Sequence, residues 1–184
     1  LTIVVALASK AEFTFLDEPV AGLDVMAAAF PAREVRFTFD NSDKVFDLLD
    51  PQGLYEYLQD GQEVETTLVI GGESVYMGKF TFTDVSIDSS VITPTIQADD
   101  IVLQLDGETA AAGTDAVVTL SAAVATALGD TAVSVVYGDG VSGRSVRYSV
   151  PDNTSKREAL RMLAQAAMCS IWTDRYGVIH IAPA

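Results

Sequence analysis

The sequence predicts an α+β fold dominated by strands, with a β-rich first module over residues 1–106 and a smaller α+β module over 107–184. Three observations carry this. Of the 184 residues 49% are apolar, enough for a core; dominant disorder would need low hydrophobicity together with high net charge. Short segments of the first hundred residues alternate apolar and polar side chains with period two, while the clearest helical periodicity falls near the end of the chain. The charge is also split: 19 acids and 5 bases stand up to Asp106, against 7 acids and 6 bases from Gly107 onward.

The strictest alternation is Glu34-Val35-Arg36-Phe37-Thr38-Phe39, which puts Val35, Phe37 and Phe39 on one face and Glu34, Arg36 and Thr38 on the other. Thr66 to Ile70 is β-branched and apolar, and Gly71-Gly72 supplies the φ > 0 positions of a tight hairpin returning through Ser74 to Met77. Lys79 to Val85 alternates again, with Phe80, Phe82 and Asp84 sharing a face. Val91–Ala98, Ile101–Leu105, Thr2–Leu7 and Glu12–Leu16 complete the expected strands. Between Phe39 and Glu63 the pattern breaks. Asp40-Asn41-Ser42-Asp43 and Asp50-Pro51-Gln52-Gly53 are turn chemistry, and Leu54 to Leu58 predicts one helical turn within a long excursion.

The second module carries helical signals. Ser121 is placed to cap a helix through Leu128, with Gly129 to end it. Val133–Tyr137 and Arg144–Val150 predict strands, the latter stopped by Pro151. Ser155-Lys156-Arg157-Glu158 fits the capping box, in which hydroxyl and carboxylate satisfy each other's free backbone donors. Leu160, Leu163, Ala164, Ala167 and Met168 then recur at helical spacing through a helix over 155–169. A hairpin follows, with strands at Ser170–Thr173 and Val178–Ala182 around the turn Asp174-Arg175-Tyr176-Gly177.

The net charge of −15 argues against binding nucleic acid through its phosphates and against docking on anionic lipid. A lone Cys169 forms no internal disulfide. One His and one Cys exclude a His/Cys zinc cluster and leave catalytic triads short of parts. Ala116 to Gly129, the longest uncharged apolar-rich run, is too short to span a bilayer and carries Thr119, Ser121 and Thr126. Leu1 to Ser9 is apolar without a preceding basic region, so no signal peptide is expected, and the missing initial Met predicts a fragment or a processed chain.

Asp40, Asp43, Asp47 and Asp50 invite a calcium reading, but Lys44 intrudes and the central Gly of such loops is missing, so turn and solvated surface are expected. His180 stands opposite Ile179 and Ile181 in the closing strand, a half-exposed position and not that of a general base. Trp172 and Tyr176 border the terminal hairpin and are expected to anchor its packing. Gly138-x-Gly140-x-x-Gly143 formally matches a dinucleotide fingerprint, yet a strand follows where the phosphate-binding helix should begin. No cofactor, no metal and no enzymatic activity are expected.

Two stretches resemble phage tail-tip proteins. Glu34 to Asp43, followed by Phe46-Asp47-Leu48-Leu49-Asp50-Pro51 and Gly53-Leu54-Tyr55, is similar to a segment of prophage tail hub-like proteins, with Lys44-Val45 where that family has Gly-Arg. In that family a glycine hairpin and a G-x-F-x-x-x-D strand come next, echoed here by Gly78-Lys79-Phe80-Thr81-Phe82-Thr83-Asp84. Lys156 to Ala167, then Thr173-Asp174-Arg175-Tyr176-Gly177-Val178-Ile179, is similar to an element of baseplate and tail hub proteins.

The resemblance implies a structural subunit of a tail tip or baseplate hub, located at the virion tail tip after synthesis and assembly in the bacterial cytoplasm. It implies a tube-like β-barrel or sandwich for the first module. Its implied partners are copies of itself, with a trimer favoured and a hexamer possible, and other phage tail proteins. DNA would be passing cargo that is not bound, repelled by lumen-facing carboxylates within about 8 Å at physiological salt.

Exposed strand edges invite pairing with another chain. The interface candidates are Phe37, Phe39, Leu54, Tyr55, Tyr57 and Leu58, with the hairpin Thr66–Met77; the competing expectation is that these side chains fill their own core. The alternative function is a carbohydrate- or receptor-binding β module of a tail-fibre or cell-surface protein, using Trp172 or Tyr176.

Overall fold

Strands β1 (Ile3–Val4), β2 (Phe13–Asp17), β3 (Arg33–Thr38), β4 (Glu63–Ile70), β5 (Glu73–Val85) and β6 (Thr95–Asp99) form one sheet in the computed structural model, which describes residues 3–4, 13–17, 30–38, 60–70, 73–85 and 95–184. The strand order is β1-β4-β5-β6-β3-β2. Only β1 and β4 run parallel; the other neighbours are antiparallel. Among the described residues the sheet is open, with β1 and β2 at its ends. It belongs to a compact unit of Leu1–Asp17 and Arg33–Asp100; Glu18–Ala32 and Ile101–Ala184 form a second.

The alternation expected at Val35 holds: Val35, Ala98 and Phe82 share one row across three strands and all are buried. Val64 and Phe80 pair in the next row, also buried. A slip of one residue would turn every one of these side chains to the opposite face, so the pattern itself holds the register.

The two segments expected at Ser74–Met77 and Lys79–Val85 are a single 13-residue strand. The register shifts between Phe82 and Asp84, so Asp84 opposes Gln97 and is exposed rather than sharing the inner face with Phe80 and Phe82. A bulge adds one residue and resets the alternation, which strict period-two counting misses. Ile70 pairs with Glu73, as a two-residue connection requires.

The second unit contains α1 (Ile101–Gly107), β7 (Ala116–Thr119), α2 (Leu120–Leu128), β8 (Val135–Tyr137), β9 (Ser145–Tyr148), α3 (Lys156–Ala166), β10 (Cys169–Thr173) and β11 (Ile179–Pro183). Its sheets are β10-β11-β8 and β7-β9. Ile101–Leu105, expected as a strand, is helical. Its buried residues, Val102 and Leu105, stand three apart and lie on one helix face. A five-residue apolar run fits either period, and burial against the core decides between them.

The cap of α2 is Thr119, not Ser121: Thr119 Oγ1 accepts the Ala122 N–H at 3.3 Å, and Gly129 ends the helix at φ 57°. At α3 the Ser155 hydroxyl accepts the Glu158 N–H at 3.2 Å as expected. The Glu158 carboxylate instead takes both guanidinium donors of Arg161, at 2.6 and 2.7 Å. Ala159, Leu160, Leu163 and Ala164 are buried. Met168, counted on that face from the sequence, is 80% exposed, because the helix ends at Ala166 and Met168 turns to φ 53°.

Phe30 and Ala32 join the core of this second unit, beside Val102, Leu105, Leu160 and Ile181. Arg157 holds the Phe30 carbonyl with two donors, Nε at 3.1 Å and a terminal nitrogen at 2.9 Å. Gly113 is required by packing: a Cβ there would overlap the Val150 backbone nitrogen.

Candidate functional site

Two surfaces stand out, one in each unit. The first is the β4–β5 hairpin. β1 pairs with Val64 and Glu65 only, and β6 pairs with β5 from Thr81 onward. Between those limits, among the described residues, Thr66–Ile70 and Glu73–Gly78 pair only with each other. This two-stranded arm is braced at its base, where Thr66 Oγ1 donates to the buried Gly78 carbonyl at 3.1 Å and Lys79 pairs with Glu63 at 2.5 Å.

Beyond the base the arm exposes apolar side chains on both faces. Val69 is 60% exposed and opposes Ser74; Val75 is 43% exposed and opposes Leu68. Val69 and Leu68 are sequence neighbours, so the two valines lie on opposite sides of the ribbon. An isolated two-stranded hairpin is marginal in water, and this one carries an exposed valine on each side.

The second surface is the outer face of the terminal sheet. Trp172 pairs with His180, and His180 with Val136, giving one row across β10, β11 and β8. Ile171, Ile179 and Ile181 point the other way into the core. Trp172 stacks on His180 with ring centroids 5.4 Å apart and planes 11° apart. His180 Nε2 lies 2.9 Å from Asp174 Oδ2, while Asp174 Oδ1 accepts the N–H groups of Tyr176 and Val178 at 2.8 and 3.1 Å. Desolvation pushes the Asp174 carboxyl up; the hydrogen bond from His180 and the two backbone donors outweigh it and hold the group below the usual carboxylate range.

Asp174 thus organises the turn and orients the imidazole under the indole. Tyr176, expected to anchor packing, is instead 64% exposed at the turn, and Trp172 is exposed with it. The turn geometry brings its backbone donors to Asp174 and leaves the phenol outward.

Of the sequence-predicted interface residues, Phe37 lies in β3, its backbone paired between Phe13 and Ile96. Phe39, Leu54, Tyr55, Tyr57 and Leu58 lie outside the described residues, as do Asp40, Asp43, Asp47 and Asp50. Among the described residues no three His, Cys, Asp or Glu side chains converge to hold a metal, and no helix is long and apolar enough to cross a membrane. Sequence reasoning singled out the hairpin but not its two-faced exposure, which depends on how far β1 and β6 extend alongside it.

No protein-family model and no curated protein matches the chain. Solved structures do. The chain is similar to the 43 kDa tail protein of prophage MuSo2 from Shewanella oneidensis, with TM-score 0.55 and 16% identity over 93% of this chain and 47% of that one. It is similar to the tail protein from Neisseria meningitidis MC58, with TM-score 0.57 and 12% identity over 93% of this chain and 45% of that one. Prophage tail protein gp18 from Listeria monocytogenes EGD-e gives TM-score 0.53 and 11% identity over 82% and 40%. The chain spans less than half the length of these structures, and over most of its own length it has the fold found in prophage tail proteins.

Proposed function

We propose that this chain is a structural, non-enzymatic part of a phage tail, working as a subunit of a hub ring at the tail tip or baseplate. The observation that carries this is the shared fold with three tail proteins over 82–93% of the chain. The two compact units then act as two modules. The β-rich unit supplies the ring wall, its open edges β1 and β2 closing into a tube-like barrel or against neighbouring copies. The apolar arm of Val69 and Val75 is buried between subunits, a trimer being favoured. Tail proteins flank the ring, and DNA passes a carboxylate-rich wall without binding.

Full-length parent protein imaged by negative-stain microscopy should show rings with a central opening and three- or six-fold symmetry. Val69→Lys with Val75→Lys should abolish the rings while leaving the melting temperature of the subunit within about 2 °C, since exposed substitutions change stability little. Intact rings in that double variant would remove the arm from the assembly.

The exposed Trp172 and Tyr176 favour a second reading, a carbohydrate- or receptor-binding module. Glycan-array binding lost in both Trp172→Ala and Tyr176→Ala would support it over the ring.

A further inference from the structure

Strand β10 ends the three-stranded sheet, and among the described residues no strand lies beyond it. Trp172 of β10 stands directly across from His180 of β11, and the two rings are stacked with planes 11° apart. One face of the indole therefore meets the imidazole. The other is turned away from β11, past the edge strand, and Trp172 is 40% exposed. The indole is also held before anything binds. His180 Nε2 lies 2.9 Å from Asp174 Oδ2, and Asp174 Oδ1 takes the backbone N–H groups of Tyr176 and Val178. A side chain already fixed in place loses little conformational entropy on binding.

The surroundings narrow the occupant. Ser170 pairs with Ala182 in one row, and Trp172 with His180 and Val136 in the next. Three strands give a width of about 10 Å, and the two rows stand about 7 Å apart. A stable protein interface takes about 800 Å² from each partner, far more than this face offers, so its scale is that of one or two small rings. Apart from His180, no residue in these rows is ionisable. In the turn, Asp174 and Arg175 are consecutive and opposite in charge, which favours neither a cation nor an anion, and the net charge of −15 disfavours an anion. What fits is a flat, uncharged molecule with C–H bonds on its face and a polar rim. Such hydrogens are slightly positive and lie well against the negative face of an aromatic ring. A pyranose sugar has that shape and chemistry.

We propose that the outward face of Trp172 binds a neutral pyranose, and that His180 and Asp174 are positioning residues that hold the indole ready for it. This rests on the second reading above, a carbohydrate-binding module, and names its ligand class and the ring face that meets the ligand. It is compatible with the ring, which is built on the first unit.

Trp172 is the only tryptophan in the 184 residues, so the intrinsic fluorescence of the full chain reports on this site alone. The probes are tetrasaccharides of glucose, galactose, mannose and N-acetylglucosamine, with oligoglucuronate as the anionic counterpart. At least one neutral probe should shift the emission to shorter wavelength and saturate, and oligoglucuronate should bind at least tenfold more weakly. Calorimetry with that neutral probe should show binding lost in Trp172→Ala, weakened at least fivefold in His180→Ala, and restored in His180→Phe, which returns a ring to the stack. Binding of no sugar at all would overturn the carbohydrate reading and this proposal with it. Three outcomes would leave that reading standing and overturn the platform: binding that leaves the Trp172 emission unchanged, oligoglucuronate bound as tightly as the neutral probe, or a folded His180→Ala that binds like the parent. The comparison of neutral with anionic probes needs no variant, so it decides the matter if His180→Ala fails to fold.

Discussion

Asp100 is completely buried and is clasped by Arg33 twice: Arg33 Nε donates to the carboxylate at 3.2 Å, and the Asp100 N–H donates to the Arg33 carbonyl at 2.9 Å. Arg33 opens β3 and Asp100 follows β6, so the clasp closes the end of that strand pair, and the guanidinium also lies 5.8 Å from the Phe80 ring centroid. A buried charge stripped of its partner is costly, whereas Arg33 retains contact with water.

Arg33→Met is therefore expected to cost about 2–3 kcal/mol, since it takes the Arg33 guanidinium away from a fully buried carboxylate. Arg33→Met with Asp100→Asn should recover part of that loss, because the buried negative charge is then gone. Urea unfolding of the single and double variants measures it. A loss below about 0.5 kcal/mol for the single change would place the pair among inconsequential surface contacts.

The cap of α2 is testable by comparing neighbours. Thr119→Ala should cost about 1 kcal/mol, the usual value for a lost N-cap. Ser121→Ala removes only an exposed contact to the Thr119 hydroxyl and should stay within about 0.5 kcal/mol of the parent. The opposite order would restore Ser121 as the cap.

Phe30 fills the core of the second unit although it stands more than seventy residues before the nearest part of α1 that packs there. Phe30→Ala should cost about 3–4 kcal/mol by creating a cavity. A fragment of residues 107–184 lacks Phe30, Val102 and Leu105 together, and its near-ultraviolet circular dichroism should show no fixed tertiary packing. A fragment with the full signal would mean that these residues are dispensable.

Acid should loosen the second unit. The Lys156 and Thr131 hydrogen bonds lower the pKa of Glu108, the Arg161 bond lowers that of Glu158, and the Asp174 carboxyl is also lowered. A depressed folded pKa gives stability that is fully present above the unfolded value and lost as pH falls through the folded one. With unfolded values of about 4.3 for Glu and 3.9 for Asp, the urea midpoint should hold steady down to about pH 5 and then decline. Glu108→Gln should flatten part of that decline; each contribution is small, because these carboxylates are partly exposed and screened.

The Ser155 cap, the face of Leu160 and Leu163, the hairpin around Gly177 and the alternation at Val35 were legible because each depends on neighbours a few residues away. Local periodicity and hydroxyl caps act within one turn or one strand pair. The surfaces were less legible. Trp172 and Tyr176 could be named from the sequence, but their exposure depends on Asp174 gathering the turn around itself. The arm could be named as a hairpin, but which of its residues pair only with each other among the described residues depends on the register of β1 and β6.

By itself the sequence determined several strands, among them Arg33–Thr38 and the hairpin of Glu63–Ile70 and Glu73–Val85, the principal helix, and the division of charge between the halves. Tertiary structure alone decided that Ile101–Gly107 is a helix, that Asp84 turns outward, and that Phe30 belongs to the second core. The reason is one of range. Hydrogen-bonding preference and periodicity are written over a few consecutive residues, while burial, bulges and free edges are set by segments that meet only after the chain has folded.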